Sequence, residues 1–141
     1  MITLAQAKTM IDTAFAEGKN QNIMPLAAIV MNAAADVVAF ERQDNSEVLR
    51  FEMAYGKGVS ALATSRNSRF IFEKLAAGSH IVKLVDQKTN GRFMAFPGAI
   101  LIKSAEGAIL GVMAVSGDTS ENDEAVVIAG IKAAGFVPSD E

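Results

Sequence analysis

Lys57 stands between two residues without side chains, in the stretch Ala54-Tyr55-Gly56-Lys57-Gly58. An ammonium in that setting can approach a bound anion closely, and it can equally be an ordinary surface charge. Arg42 closes Phe40-Glu41-Arg42 and precedes Gln43-Asp44-Asn45. Its planar guanidinium could clamp a carboxylate through two parallel bonds, or form a surface pair with Glu41 or Asp44 worth at most about 1 kcal/mol. His80 is the one histidine of the chain. It is therefore the only side chain that titrates near neutrality in its ordinary state, open to use as an axial ligand, as a general base or as a solvated residue. Asp118, Ser120 and Asn122 imitate the first, third and fifth positions of a calcium loop, but Asp123 and Ala129 occupy the positions that need Gly and Glu. The acidic stretch is better explained as a helix start, with Ser120 as N-cap, Asp123 at the third helical position and Glu121 and Glu124 at the positive end of the dipole. Asp123 also stays open as a ligand contact or a proton-transfer group. Carboxylates in that first turn oppose a phosphate, and no Walker or dinucleotide glycine pattern occurs elsewhere. No residue group is assigned to a metal.

Composition narrows the classes. The chain has 141 residues, half of them apolar, with a formal charge of −3. This implies one folded domain over 1–141 with an ordinary core. The absence of cysteine excludes disulfides, thiolate catalysis and cysteine-based metal or cluster sites. A single histidine excludes a His-rich metal cluster within one chain, which leaves carboxylate-bound Ca or Mg, or a tetrapyrrole with one axial side chain. Without a basic stripe, nucleic acid is not an expected partner. The N-terminus lacks the pattern of a signal peptide and no apolar run is long enough for a membrane helix, so the expectation is a cytoplasmic protein without membrane contact.

The elements that must position these residues follow from period and punctuation. Thr3 and Gln6 form a capping box, and Leu4, Ala7, Ile11, Ala14 and Phe15 recur at helical spacing, which predicts a helix over about 3–20. Leu26–Met31 and Val37–Arg42 read as strands of a hairpin through 32–36. Ser46 opens a second helix at about 47–64, in which Gly56 and Gly58 each cost about 1 kcal/mol and so mark close approach by a backbone or a ligand. Ser68 caps a short third helix that stops near Gly78, and 79–91 shows no clear period. Phe93–Phe96, Ala99–Ile102 and Ala108–Val115 read as strands, the last apolar on both faces and so covered on both. Ser120–Ala134 closes the chain as a helix. The fold class is α+β: a five-stranded, mainly antiparallel sheet with helices on both faces.

Several stretches together resemble one family. Phe40-Glu41-Arg42-Gln43-Asp44, Ala54-Tyr55-Gly56-Lys57, Asn90-Gly91 and the closing Gly111-Val112-Met113-Ala114-Val115-Ser116-Gly117, followed by Asp123-Glu124 and Ala129-Gly130, are similar to the GlcG/HbpS-like family of small bacterial haem-binding or haem-degrading-domain proteins. That family also includes the C-terminal domain of PduO-type corrinoid adenosyltransferases. The resemblance covers nearly the whole chain. It implies a profilin-like sandwich, assembly into homo-oligomers and a haem or corrinoid ligand. Where members usually carry Gly-Gly in the first hairpin this chain has Ala33-Ala34-Ala35, and Phe96-Pro97-Gly98-Ala99-Ile100 stands in place of the usual Gly-Gly-x-Pro stretch. The first helix holds no histidine of the PduO-domain kind.

The functional expectation is a small-ligand-binding protein, with haem or another tetrapyrrole as the candidate cofactor. The pocket is placed near the second helix and the 91–99 turn. Lys57 and Arg42 are its carboxylate-facing cations, Gly56, Gly58 and Gly98 its close-approach positions, and His80 its axial donor. Two alternatives stand beside it. One is a cofactor-free lyase or isomerase of a small organic acid, with Asp123 or His80 moving the proton. The other is an accessory protein acting through its oligomeric surface.

Overall fold

Residues 1–141 are described by a computed structural model, and the capping box at Thr3 sets its first element. Thr3 Oγ1 accepts from Gln6 N at 3.1 Å and Gln6 Oε1 from Thr3 N at 2.9 Å, which starts α1 at Leu4–Asn20. The chain then forms β1 (Ala27–Asn32), β2 (Val37–Arg42), α2 (Arg50–Thr64), α3 (Ser68–Ala76), α4 (Ile81–Lys88), β3 (Ala99–Lys103), β4 (Ile109–Ser116), α5 (Ser120–Ala133) and β5 (Val137–Pro138). The strand order is β2-β1-β4-β3-β5, and every pairing is antiparallel. No helix is long and apolar enough to cross a membrane.

The central strands are apolar on both faces, and the pleat sends alternate residues to two cores. Ala28, Val30, Ile100, Ile102, Met113 and Val115 meet Met10 and Ile11 of α1 and Val127 and Ile131 of α5. Ile29, Met31, Leu101, Val112 and Ala114 face α2, where Ala54 and Ala61 meet them. Helices therefore cover both faces of the sheet, as the unbroken apolar run of β4 requires.

Four local expectations need correction, and three of them concern side chains or amides used elsewhere. The second helix begins at Arg50, not near 47. Ser46 cannot cap it because Arg42 holds this residue: Nε donates to Ser46 Oγ at 3.1 Å and Nη2 to Ser46 O at 2.5 Å. Ser68 is the first residue of α3, and its Oγ accepts instead from Ala99 N of β3 at 3.0 Å. Thr119, not Ser120, caps α5, accepting from Asn122 N at 3.2 Å. Phe93–Phe96 is not a strand, because Met94 N donates to Gly56 O and Ser60 Oγ of α2. The fifth strand is Val137–Pro138. The span 79–91, which shows no clear period in sequence, contains α4, a helix with no buried residue that rests beside α3.

Both sheet edges are closed to extension. A register shift opposite Val38 disrupts β2, and β5 is two residues ending in a proline, which has no N–H. Where β5 ends, side chains finish the β3 edge: Asn67 Oδ1 accepts from Leu101 N at 2.9 Å while its Nδ2 donates to Ser139 O at 2.9 Å. Replacing Asn67 with Ala leaves a buried N–H and a buried C=O without partners. Thermal or urea unfolding should register a loss of about 3 kcal/mol with the fold retained.

Candidate functional site

Polar chemistry gathers at two places, a buried ion pair at one end of the sheet and an open cleft beside α3 and α4. The ion pair is built where β4 gives way to α5. Asp123 lies one turn into α5 and is 1% exposed. Its Oδ1 accepts from Asp118 N at 3.0 Å and its Oδ2 from Lys57 Nζ at 3.1 Å. Lys57 arrives from α2, on the other face of the sheet, and is 4% exposed. Its ammonium also donates to Val115 O at 3.0 Å. The sequence reading of Asp123 as the third helical residue behind a Ser120 cap is corrected: behind Thr119 it is the fourth residue of α5, and it is the partner of a buried cation.

Gly98 makes the crossing possible. A Cβ there would stand 2.7 Å from Lys57 Nζ and 2.9 Å from Val115 O, and the residue has φ +130°. Gly98 O in turn accepts from Val115 N at 3.0 Å, which fixes the start of β3 beside the end of β4. Burial pushes the Lys57 ammonium below its ordinary value of 10.5, with the Asp123 charge and hydrogen bond opposing the shift and Arg50 adding to it. Burial likewise lifts the Asp123 carboxyl above 3.8, against the pull of the Lys57 charge and the Asp118 amide. The next residue of α5 repeats the pattern toward α3: Glu124 takes Arg69 through Nε at 3.2 Å and Nη2 at 2.5 Å. One turn of α5 thus holds both α2 and α3.

The other residues singled out in the sequence lie elsewhere. Gly56 admits a backbone, as its type suggests: a Cβ there would be 3.0 Å from Arg92 O and 2.9 Å from Met94 Cβ. Gly58 gives way to the Met31 side chain. Arg42 lines a separate surface depression of about 580 Å³ with Asp12, Phe15 and Lys19, and it is spent on Ser46 and Glu47. The structure does not bring Arg42 and Lys57 together.

His80 is exposed at the head of α4, where its side chain makes no capping bond. It opens on a cleft of about 410 Å³ walled by Leu75, Val82 and Phe93, with Lys83 and Asp86 on the rim. Asp123 lines none of the clefts. Sequence reasoning missed Lys83, because 79–91 has no clear period, and Ser60, because a serine inside an amphipathic helix carries no signal of a distant partner.

The fold is thus an α+β sandwich with a buried ion pair at the β4–α5 junction and a histidine-headed surface cleft. Residues 2–132 match the family described as haem degrading protein HbpS-like, and the chain belongs to that family. It is 26% identical over 122 residues to an uncharacterized 15.0 kDa protein of the dhaT–dhaS intergenic region of Citrobacter freundii, covering 86% of this chain and 84% of that one. Among solved structures it is similar to Klebsiella pneumoniae protein ORFY, with TM-score 0.85, 20% identity and coverage of 95% and 90% of the two chains. It is also similar to the PduOC:heme complex, with TM-score 0.83, 16% identity and 94% of each chain covered. At these identities the two structures establish the fold.

The buried pair yields a double-mutant and pH prediction. Lys57→Met strands a buried carboxylate and should cost about 3–5 kcal/mol, while Lys57→Met with Asp123→Leu should cost clearly less. In Lys57→Met the Asp123 carboxyl loses its cation and lies still further above 3.8, so the folded chain keeps a proton that the unfolded chain releases. That stability is full below the unfolded value and is lost as pH rises through the folded one. Calorimetry from about pH 4 to about pH 8 should show the Tm of Lys57→Met falling relative to wild type.

Proposed function

We propose that this chain is a small-ligand-binding protein that takes haem or another planar tetrapyrrole in the His80 cleft. The observation that carries the reading is the setting of the one histidine: it is solvent-exposed, free of capping duty, and placed against an apolar wall of Leu75, Val82 and Phe93 with a cation, Lys83, at the rim. An imidazole supplies an axial nitrogen, the wall shields a macrocycle face, and an ammonium suits a peripheral carboxylate. These residue types fit the group named in the family description and in the PduOC:heme complex. Haem bound there would supply the iron chemistry, and the chain would supply ligation, shielding and charge.

Within this reading we move the cation's role to another residue. Lys57 and Arg42 are engaged within the fold, so Lys83 takes the role expected of them. Gly56 lets the Arg92–Met94 backbone close on α2 beside this cleft, whereas Gly58 and Gly98, expected at the ligand, admit Met31 and Lys57 instead. The reading of the chain as a lyase or isomerase of an organic acid has less support, since Asp123 is committed to Lys57 and Asp118 and faces no cleft. We also read the chain as a cytoplasmic homo-oligomer; for assembly the support is the exposed apolar side chains of Phe72, Leu75, Ile81, Leu84 and Phe96, which a partner copy would cover.

A haemin titration of wild type and His80→Ala, with far-UV circular dichroism as the fold control, tests the reading. Wild type should give a saturable Soret change that His80→Ala loses or shifts. A wild-type spectrum identical to that of an unrelated protein would reject tetrapyrrole binding and turn attention to small carboxylates.

A further inference from the structure

One wall residue of the His80 cleft, Phe93, lies in a stretch without regular secondary structure, residues 92–98, so something other than a ladder must hold it. Two residues of this stretch carry aromatic surface. Phe93 lines the cleft, and Phe96, 51% exposed, packs beside Phe72 of α3 with ring centroids 6.0 Å apart. Met94, next to Phe93, is the attachment point. Its N–H is shared between Ser60 Oγ at 2.9 Å and Gly56 O at 3.1 Å. Ser60 Oγ lies 2.8 Å from Met94 O and 2.8 Å from Gly56 O, so its one proton is donated to either carbonyl. Ser60 is completely buried. The bare Gly56 lets the Arg92–Met94 backbone lie close enough for this hydroxyl to grip it.

We infer that Ser60 is a positioning residue for the ligand cleft, holding the Phe93 wall against α2 through Met94, although it lies outside the cleft itself. The inference rests on the tetrapyrrole reading of that cleft. A hydroxyl suits the task because it can accept from the Met94 amide and donate to a carbonyl of the same pair of segments. A methyl in its place leaves Met94 N with only the longer bond to Gly56 O. The far end of the stretch keeps its own anchor, Gly98 against Lys57 and Val115, so the wall loosens without detaching.

Ser60→Ala tests this with two readouts. The first is haemin affinity and Soret position. The second is the rate of tryptic cleavage after Arg92, which lies at the start of the anchored stretch. Affinity should fall roughly tenfold with the Soret position unchanged, because His80 is untouched and one net hydrogen bond is lost. Cleavage after Arg92 should be several-fold faster, while the circular dichroism spectrum stays that of wild type. An unchanged cleavage rate overturns the inference, since Ser60 then does not hold the stretch. Faster cleavage with unchanged haemin affinity also overturns it, since the wall then does not serve the ligand. If wild type itself shows no saturable haemin binding, the tetrapyrrole reading fails, and faster cleavage in Ser60→Ala leaves that residue a structural anchor only.

Discussion

The Lys57–Asp123 pair sets the terms for the rest of this molecule. A sheet covered on both faces separates its helices into two layers that meet only past its ends and edges. Here one ammonium passes the sheet end and joins α2 to α5, contacting β4 at the Val115 carbonyl and passing Gly98 at the start of β3. Isolated charges so deeply buried would be untenable, and the pair is sustained because each has its opposite and additional hydrogen bonds. Removing water from both groups costs more than it would for a surface pair. What that cost secures is geometry: four elements meet at one point with little freedom to slide.

That fixed point governs the cleft at one remove. Gly98 is held at the clasp, Met94 is held by Ser60, and the aromatic residues between and beside these anchors face α3 and α4. The Phe93 part of the cleft wall is therefore loop by secondary structure but framework by attachment. By contrast α4, which carries His80, has no buried residue. The cleft thus joins an anchored segment at Phe93 to a lightly packed helix, the kind of element that opens locally at low cost.

The strand and helix assignments succeeded where burial follows a simple period. Ala27–Asn32 and Ile109–Ser116 are apolar on both faces, and only a central strand between two helix layers accommodates that. Thr3 and Gln6 are three residues apart, so the capping box needs nothing beyond the local chain. Ser46, Ser68 and Ser120 carry the residue type of an N-cap, yet the first two have partners far from a helix start and the cap of α5 falls to Thr119. Phe93–Phe96 has strand-like composition, but its backbone is claimed by α2 before it can join a ladder.

The sequence by itself determined the layered fold, the close approach at Gly56 and Gly58, and the family to which the chain belongs, because apolar period and glycine spacing act over short stretches that can be read directly. Only the tertiary structure decided that Lys57 belongs to Asp123, that Arg42 serves the 46–47 turn, and that His80 shares its cleft with Phe93 and Lys83. The physical reason is that charges choose partners by distance and burial. Lys57 and Asp123 are 66 residues apart along the chain and 3.1 Å apart in space, and no local pattern encodes that closure.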